Sequence, residues 1–123
     1  MKHLLLIFLG GGAGSALRYV ISGYFNSSET QFYLGTFLVN IAGCLLLGFL
    51  AGLALKEHSI SHETSLLLGV GFCGGFTTFS TFGLEMFTLL REENYAMLFR
   101  YTAGSLVAGL IFVALGFWVS KNL

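Results

Sequence analysis

Residues 71–83 read Gly-Phe-Cys-Gly-Gly-Phe-Thr-Thr-Phe-Ser-Thr-Phe-Gly, in the middle of a hydrophobic segment. Each of the adjacent glycines, Gly74 and Gly75, lowers helix propensity by roughly 1 kcal/mol relative to alanine. The hydroxyl groups that follow can bond backbone groups that a broken helix leaves free. Such backbone is tolerated at membrane depth only inside protein or beside a water-filled path. The stretch therefore predicts a helix broken at its centre that lines an ion or solute pathway.

The surrounding composition is typical of a membrane protein. Of the 123 residues, 55% are hydrophobic and only 10% are charged, and residues 64–84 include no charged side chain. Crossing a bilayer core takes about 20 residues, and four apolar blocks are long enough: approximately 4–25, 32–55, 64–90 and 97–119. We therefore predict an all-α, multi-pass membrane protein with one transmembrane domain over residues 1–123. Because the connections are short, consecutive helices are expected to be antiparallel neighbours.

Basic residues flank the predicted spans evenly. With these spans, three lie on one side of the membrane and three at or near the other: Lys2, Lys56 and Lys121 against Arg18, Arg91 and Arg100. The positive-inside bias that normally fixes orientation is absent, so the chain can insert both ways up. Two copies in opposite orientations generate the inverted symmetry of many transport proteins. We predict an antiparallel (dual-topology) homodimer, although a chain with six basic residues can also reach this balance by chance.

Glycines recur at the spacing of close helix contacts. Three Gly-x-x-x-Gly pairs are present, and such pairs let membrane helices approach without intervening side chains: Gly10 and Gly14, Gly48 and Gly52, and Gly71 and Gly75. We interpret them as packing surfaces.

Asn40 is the only amide side chain deep within a predicted span. An unpaired polar group at that depth costs several kcal/mol, so Asn40 needs a partner. Its N–H donors suit an anion, which favours a pore-lining role, and a hydrogen bond between helices is the alternative. Thr36 lies one turn earlier on the same helix face, where its hydroxyl would extend the polar strip.

Three motifs occur in order along the chain. They are Gly10-Gly11-x-x-Gly14-x-x-x-Arg18-Tyr19, Gly35-Thr36-x-x-Val39-Asn40-x-x-Gly43 and Gly74-Gly75-Phe76-Thr77-Thr78-Phe79-Ser80-Thr81-Phe82. In these motifs the chain resembles the Fluc (CrcB) family of fluoride ion channels, and the resemblance extends over its whole length. It implies a dual-topology homodimer in the plasma (inner) membrane, with two pores permeable to fluoride. It also implies a structural sodium ion at the dimer centre.

The resemblance also assigns roles to individual residues. Phe79 and Phe82 match the family's paired pore phenylalanines, whose positive ring edges attract an anion. A set of hydroxyl groups, which we call the hydroxyl track, is expected to carry fluoride along the pore: Ser80, Thr81, Tyr101 and Ser105. The backbone carbonyls of Gly74 and Thr77 are the expected sodium ligands, and a kink satisfied by water is the alternative to that site.

Two ionisable residues lie close to this pathway. Arg18 is expected either to reach the membrane interface or to attract anions at a pore mouth. Glu85 follows Phe82 by three residues and so shares its face. A protonatable or gating role is one interpretation of Glu85, and a helix-end position near Arg91 is the other.

The sequence therefore predicts a passive, fluoride-selective channel in contact with membrane lipid. A small dual-topology, proton-coupled drug exporter is the alternative, but it would need an acidic residue in mid-membrane, and the first, second and fourth spans have none. A non-transporting scaffold subunit is a third possibility. A scaffold subunit would give Asn40 and the hydroxyl track no function. No constellation of nucleophile, base and orienting group indicates an enzyme, and no nucleic-acid partner is expected.

Overall fold

The structure, a computed structural model, describes residues 1–26, 32–56 and 59–123, and the regular secondary structure in these residues is all helical. Four helical segments are long and apolar enough to cross a membrane: Lys2–Phe25, Leu34–Ala54, His62–Arg91 and Tyr95–Asn122. The structure thus confirms an all-helical chain with four such segments.

Five helices make up these segments. The first, second and fourth segments are α1 (Lys2–Phe25), α2 (Leu34–Ala54) and α5 (Tyr95–Asn122). The third is divided into α3, residues 62–76, and α4 (Phe79–Arg91). Most of α3, Ser65–Cys73, has the wider π-helical hydrogen-bond pattern.

Two extended residues separate α3 from α4. Thr77 has φ −78° and ψ 157°, and Thr78 has φ −148° and ψ 121°. Gly74 is still helical, with φ −63° and ψ −37°. The non-helical backbone therefore follows the double glycine and falls on the first two residues of the hydroxyl-rich stretch. We call Thr77 and Thr78 the interruption.

Close packing joins α1 to α3. A Cβ atom added to Gly10 would strike the carbonyl oxygen of Leu67, and one added to Gly14 would strike that of Phe72. On the facing helix, a Cβ atom on Gly75 would strike the carbonyl oxygen of Gly11. These contacts require hydrogen in place of a side chain, so the glycines bring the two backbones together.

Glycine also joins α2 to α5. A Cβ atom on Gly48 would meet the backbone of Val113, and one on Gly52 would meet Ser120 Oγ. The interpretation of the glycine pairs as packing surfaces is therefore confirmed. Consecutive membrane segments contact each other, as expected, but the closest packing joins alternate segments. The glycine faces are also used within the chain, so they are not free to hold a second copy.

One end of the bundle carries a small charged cluster. Lys2 Nζ lies 2.5 Å from Glu63 Oε1, and the rings of His3 and His62 meet edge to face, with their centroids 5.2 Å apart. These contacts bring the start of α1 to the start of α3, as expected if both segments cross from the same side.

Candidate functional site

Asn40 bonds the interruption through both ends of its amide. Its Nδ2 donates to the carbonyl oxygen of Thr78 at 3.1 Å, and the backbone N–H of Thr78 donates to Asn40 Oδ1 at 2.8 Å. The partner of this partly buried amide is therefore a backbone, and the two bonds join α2 to the third segment. A side-chain amide has two N–H donors, and this pairing uses one of them.

The interruption removes the usual helical donors from the backbone carbonyls of residues 74–77, of which two concern the expected sodium site. In a continuous α-helix each N–H donates to the carbonyl four residues earlier. The N–H of Thr78 bonds Asn40 rather than Gly74, and that of Thr81 bonds Thr78 Oγ1 at 3.3 Å rather than the carbonyl of Thr77. Gly74 and Thr77, the expected sodium ligands, are thus the residues whose carbonyls lose these two donors.

Arg18 bonds a third carbonyl beside the interruption. Its Nε donates to the carbonyl oxygen of Gly75 at 3.0 Å, and Ser15 Oγ donates to the same oxygen at 3.3 Å. The side chain therefore turns toward the interruption and away from a purely interfacial position, while the role as an anion attractor stays a prediction. Arg91 and Arg100 remain as the basic residues at the far ends of the spans.

Two cavities adjoin the interruption, and Thr78 lines both. The first, which we call the amide cavity, has a volume of about 330 Å³. Its lining comes from α2, α4, α5 and the interruption: Asn40, Gly43, Cys44, Leu47, Thr77, Thr78, Phe79, Phe82, Ser105, Leu106 and Gly109. It brings together four of the residues predicted to line a pore, namely Asn40, Phe79, Phe82 and Ser105.

Ser105 is distinctive within the amide cavity. Its Oγ atom is buried and has no hydrogen-bond partner. A buried hydroxyl without a partner is unusual in native proteins, because leaving one unsatisfied costs about 1–3 kcal/mol. Ser105 and Asn40 thus line the same cavity, and the Ser105 hydroxyl has an unused donor.

The two phenylalanines form one wall of this cavity. Their ring centroids are 6.2 Å apart, with the ring planes inclined at 54°. Phe82 is only 6% exposed, whereas Phe79 is 80% exposed in the single chain. The pair therefore extends from the interior of the bundle to its outer surface.

The second cavity, which we call the arginine cavity, has a volume of about 380 Å³. Its lining comes from α1, α4 and the interruption: Ser15, Arg18, Tyr19, Ser22, Gly23, Thr78 and Thr81. Thr81, a member of the predicted hydroxyl track, lies here and not in the amide cavity. Ser80, its neighbour, is exposed and is not part of the lining of either cavity.

A third polar feature is a buried carboxylate cluster around Glu85. Thr36 Oγ1 donates to Glu85 Oε1 at 2.6 Å, and the Tyr101 hydroxyl donates to Oε2 at 2.6 Å. Thr36 and Tyr101 are both fully buried. Their hydroxyls thus face Glu85 and not the amide cavity. Glu85 itself lies inside α4, so its position is not the helix end near Arg91 that was the alternative.

Asn26 extends this cluster and was missed in the sequence. Its Nδ2 donates to Thr36 Oγ1 at 3.2 Å, and its Oδ1 accepts the backbone N–H of Gly35 at 2.7 Å. It thereby links the end of α1 to the first turn of α2, where backbone N–H groups have no helical acceptor. Asparagine is a preferred helix-capping residue. Its position at the edge of an apolar block could therefore have indicated that Asn26 bonds the backbone at a helix end.

The described residues contain no group of three or more His, Cys, Asp or Glu side chains that could hold a metal ion. The oxygen donors near the interruption are instead the carbonyls of Gly74 and Thr77. Carbonyl oxygens are hard ligands of the kind that hold sodium in broken transporter helices. The carbonyl oxygens of Gly74 and Thr77 are therefore ligands of the chemical type that sodium takes.

Comparison with known proteins shows the family. Residues 5–117 match the family model described as CrcB-like protein, Camphor Resistance (CrcB). The chain belongs to the CrcB family. The resemblance carried by the three sequence motifs is thereby confirmed.

Curated relatives match over nearly their full length. The chain is 48% identical over 122 residues to the fluoride-specific ion channel FluC of Phocaeicola vulgatus, covering 98% of this chain and 100% of the relative. It is 48% identical to FluC of Methylobacillus flagellatus, with 98% and 96% covered, and 41% identical to FluC of Pyrococcus abyssi, with 99% and 98% covered. These relatives are named as ion channels and not as enzymes.

Proposed function

We propose that this CrcB-family protein is a passive, fluoride-selective channel that lets fluoride leave the cell across the plasma membrane. The observation that carries the proposal is the amide cavity, whose lining includes Asn40, the Phe79–Phe82 pair and Ser105 with its unpaired hydroxyl. The names of the curated relatives support fluoride as the ion.

The lining of the amide cavity suits a small, strongly hydrated anion. Selection requires groups that replace the hydration of the ion in a narrow passage. The second N–H of Asn40 and the hydroxyl of Ser105 are such donors, and aromatic ring edges add partial positive charge. Much of the remaining lining is apolar, for example Leu47 and Leu106, and carries no charged side chain.

The working unit is an antiparallel homodimer. The amide cavity opens on the surface of the single chain, and Phe79 stands 80% exposed at its edge, so a second copy would complete the wall. The flanking charge supports dual topology, because no strong bias of basic residues separates the two ends. With Arg18 turned inward, Lys2, Lys56 and Lys121 oppose only Arg91 and Arg100.

The carbonyls of Gly74 and Thr77 would hold the sodium ion at the centre of this dimer, two from each copy. When bound, the ion supplies positive charge that favours anions in the nearby cavities. The chain's contribution is to keep both carbonyls free of their helical donors through Asn40 and Thr78.

The buried carboxylate argues against a proton-coupled drug exporter. Such a protein needs an acidic group that its substrate can reach, whereas both oxygens of Glu85 accept short hydrogen bonds from buried hydroxyls. A scaffold subunit would leave the unpaired Ser105 hydroxyl without a purpose.

The test is ion release from liposomes that contain only the purified protein. Fluoride should leave down its gradient, with chloride release far slower, and a proton ionophore should leave the selectivity unchanged. Equal release of both anions, or no release, would contradict the proposal.

A further inference from the structure

Asn40 does more than present a donor to the amide cavity. A side chain that only contacts a passing anion has no need to bond both backbone groups of one residue. Asn40 does so at Thr78, where the extended backbone has left the helical hydrogen-bond pattern. Thr78 is buried, and buried backbone groups are almost always paired. The amide therefore replaces the helix as the partner of Thr78.

The competing partner for the Thr78 N–H is the carbonyl of Gly74. That carbonyl would accept this N–H if the helix continued, and Gly74 already has helical dihedral angles. Without the Asn40 oxygen, the buried N–H needs another acceptor, and the nearest in the regular helical pattern is Gly74. Once used in that way, the carbonyl would be a poorer ligand for a cation.

We propose that Asn40 is a positioning residue for the central cation, because its Oδ1 withdraws the Thr78 N–H and so keeps the Gly74 carbonyl available. This inference rests on the proposed function, which places a sodium ion at that carbonyl. It gives Asn40 a second role, separate from donating to fluoride.

The test is the sodium dependence of thermal stability of the purified full-length dimer, titrated with Na⁺ against N-methylglucamine at constant ionic strength. Asn40→Leu keeps the approximate size and removes both bonds to Thr78. Asn40→Asp keeps an oxygen acceptor for the Thr78 N–H but loses the donor. A neutral hydrogen bond changes an equilibrium by about fivefold, and both copies contribute. We therefore expect the half-maximal Na⁺ concentration to rise about 25-fold in Asn40→Leu and not to rise in Asn40→Asp.

Ser105→Ala is the matched control, because Ser105 lines the same cavity without bonding the interruption, and its Na⁺ midpoint should equal that of the parent. An Asn40→Leu dimer with the parent's midpoint would overturn the inference, even if fluoride release were lost. If Asn40→Leu does not assemble, the smaller Asn40→Ser serves with the same expected direction. A parent whose stability ignores Na⁺ would refute the cation and this inference together, whereas fluoride release from liposomes would still test the channel separately.

Discussion

Replacing Ser105 by alanine should make the protein more stable and less active. The Ser105 hydroxyl is buried without a partner, and an unsatisfied buried group costs about 1–3 kcal/mol. Removing it should relieve this penalty. In the proposed pore the same hydroxyl would donate to fluoride, and hydrogen bonds to charged groups contribute about 1.5–3 kcal/mol. Fluoride release should therefore fall by roughly tenfold or more.

Ser120→Ala supplies the matched control in the same helix. Ser120 is fully buried, and its Oγ donates to the carbonyl oxygen of Phe117 at 2.7 Å. This variant should lose about 1 kcal/mol of stability and keep its fluoride flux. Because both substitutions exchange serine for alanine within α5, the change in helix propensity largely cancels between them.

The assays are thermal unfolding in fluoride-free detergent solution and fluoride release from liposomes. The Ser105 variant should be more stable than the Ser120 variant by about 2 kcal/mol or more. The reasoning is refuted if Ser105→Ala is destabilised as much as Ser120→Ala, or if it releases fluoride as fast as the parent.

Three other predictions concern the rings, the buried carboxylate and the topology. Phe79→Ile and Phe82→Ile keep an apolar side chain but lose the positive ring edge, so fluoride flux should fall while the dimer persists. The control is Phe8→Ile, at an exposed site on α1, which should conduct fluoride like the parent. If the Phe79 or Phe82 variants lost dimer assembly and not flux, the two rings would have a packing role and not a pore role. Tyr101→Phe removes the short hydrogen bond to Glu85. The free energy of unfolding, measured by denaturant titration, should fall by about 1.5–3 kcal/mol. Unchanged stability would show that this hydrogen bond contributes nothing. Tags on one terminus should label both faces of the membrane; labelling of one face alone would exclude dual topology.

The spans and the packing glycines could be predicted because both depend on local features. Length and apolar composition decide whether a helix can cross a bilayer, and Gly-x-x-x-Gly spacing marks a face that can approach another backbone. The spacing does not say which helix lies opposite. The pairing of Gly48 with Val113, for example, depends on the arrangement of the whole bundle.

The interruption lies after the double glycine for a related reason. A glycine weakens a helix by roughly 1 kcal/mol without forbidding it, so Gly74 remains helical. The helix stops where Asn40 and the Thr78 hydroxyl compete for backbone N–H groups. Asn40 is 38 residues away from Thr78 in sequence, and local propensity cannot reveal such a competitor.

The hydroxyl track shows the same limit of sequence reasoning. Thr36 was expected to extend the polar strip of Asn40, and Tyr101 and Ser105 were expected to belong to the hydroxyl track. Of these three residues, only Ser105 lines the amide cavity. The direction of the other two hydroxyls follows from Glu85, which lies 49 residues from Thr36 and 16 from Tyr101. The turn of Arg18 toward Gly75 likewise follows from the contact between α1 and α3.

The reversal potential of the current through a planar bilayer containing the purified protein tests passive fluoride conduction most directly. With fluoride as the permeant ion and a tenfold fluoride gradient, a passive channel should reverse at about 59 mV, the equilibrium potential of a singly charged ion. Imposing a proton gradient across the same bilayer should leave that potential unchanged. A reversal potential that follows the proton gradient, or the absence of any fluoride current from folded protein, would contradict the account.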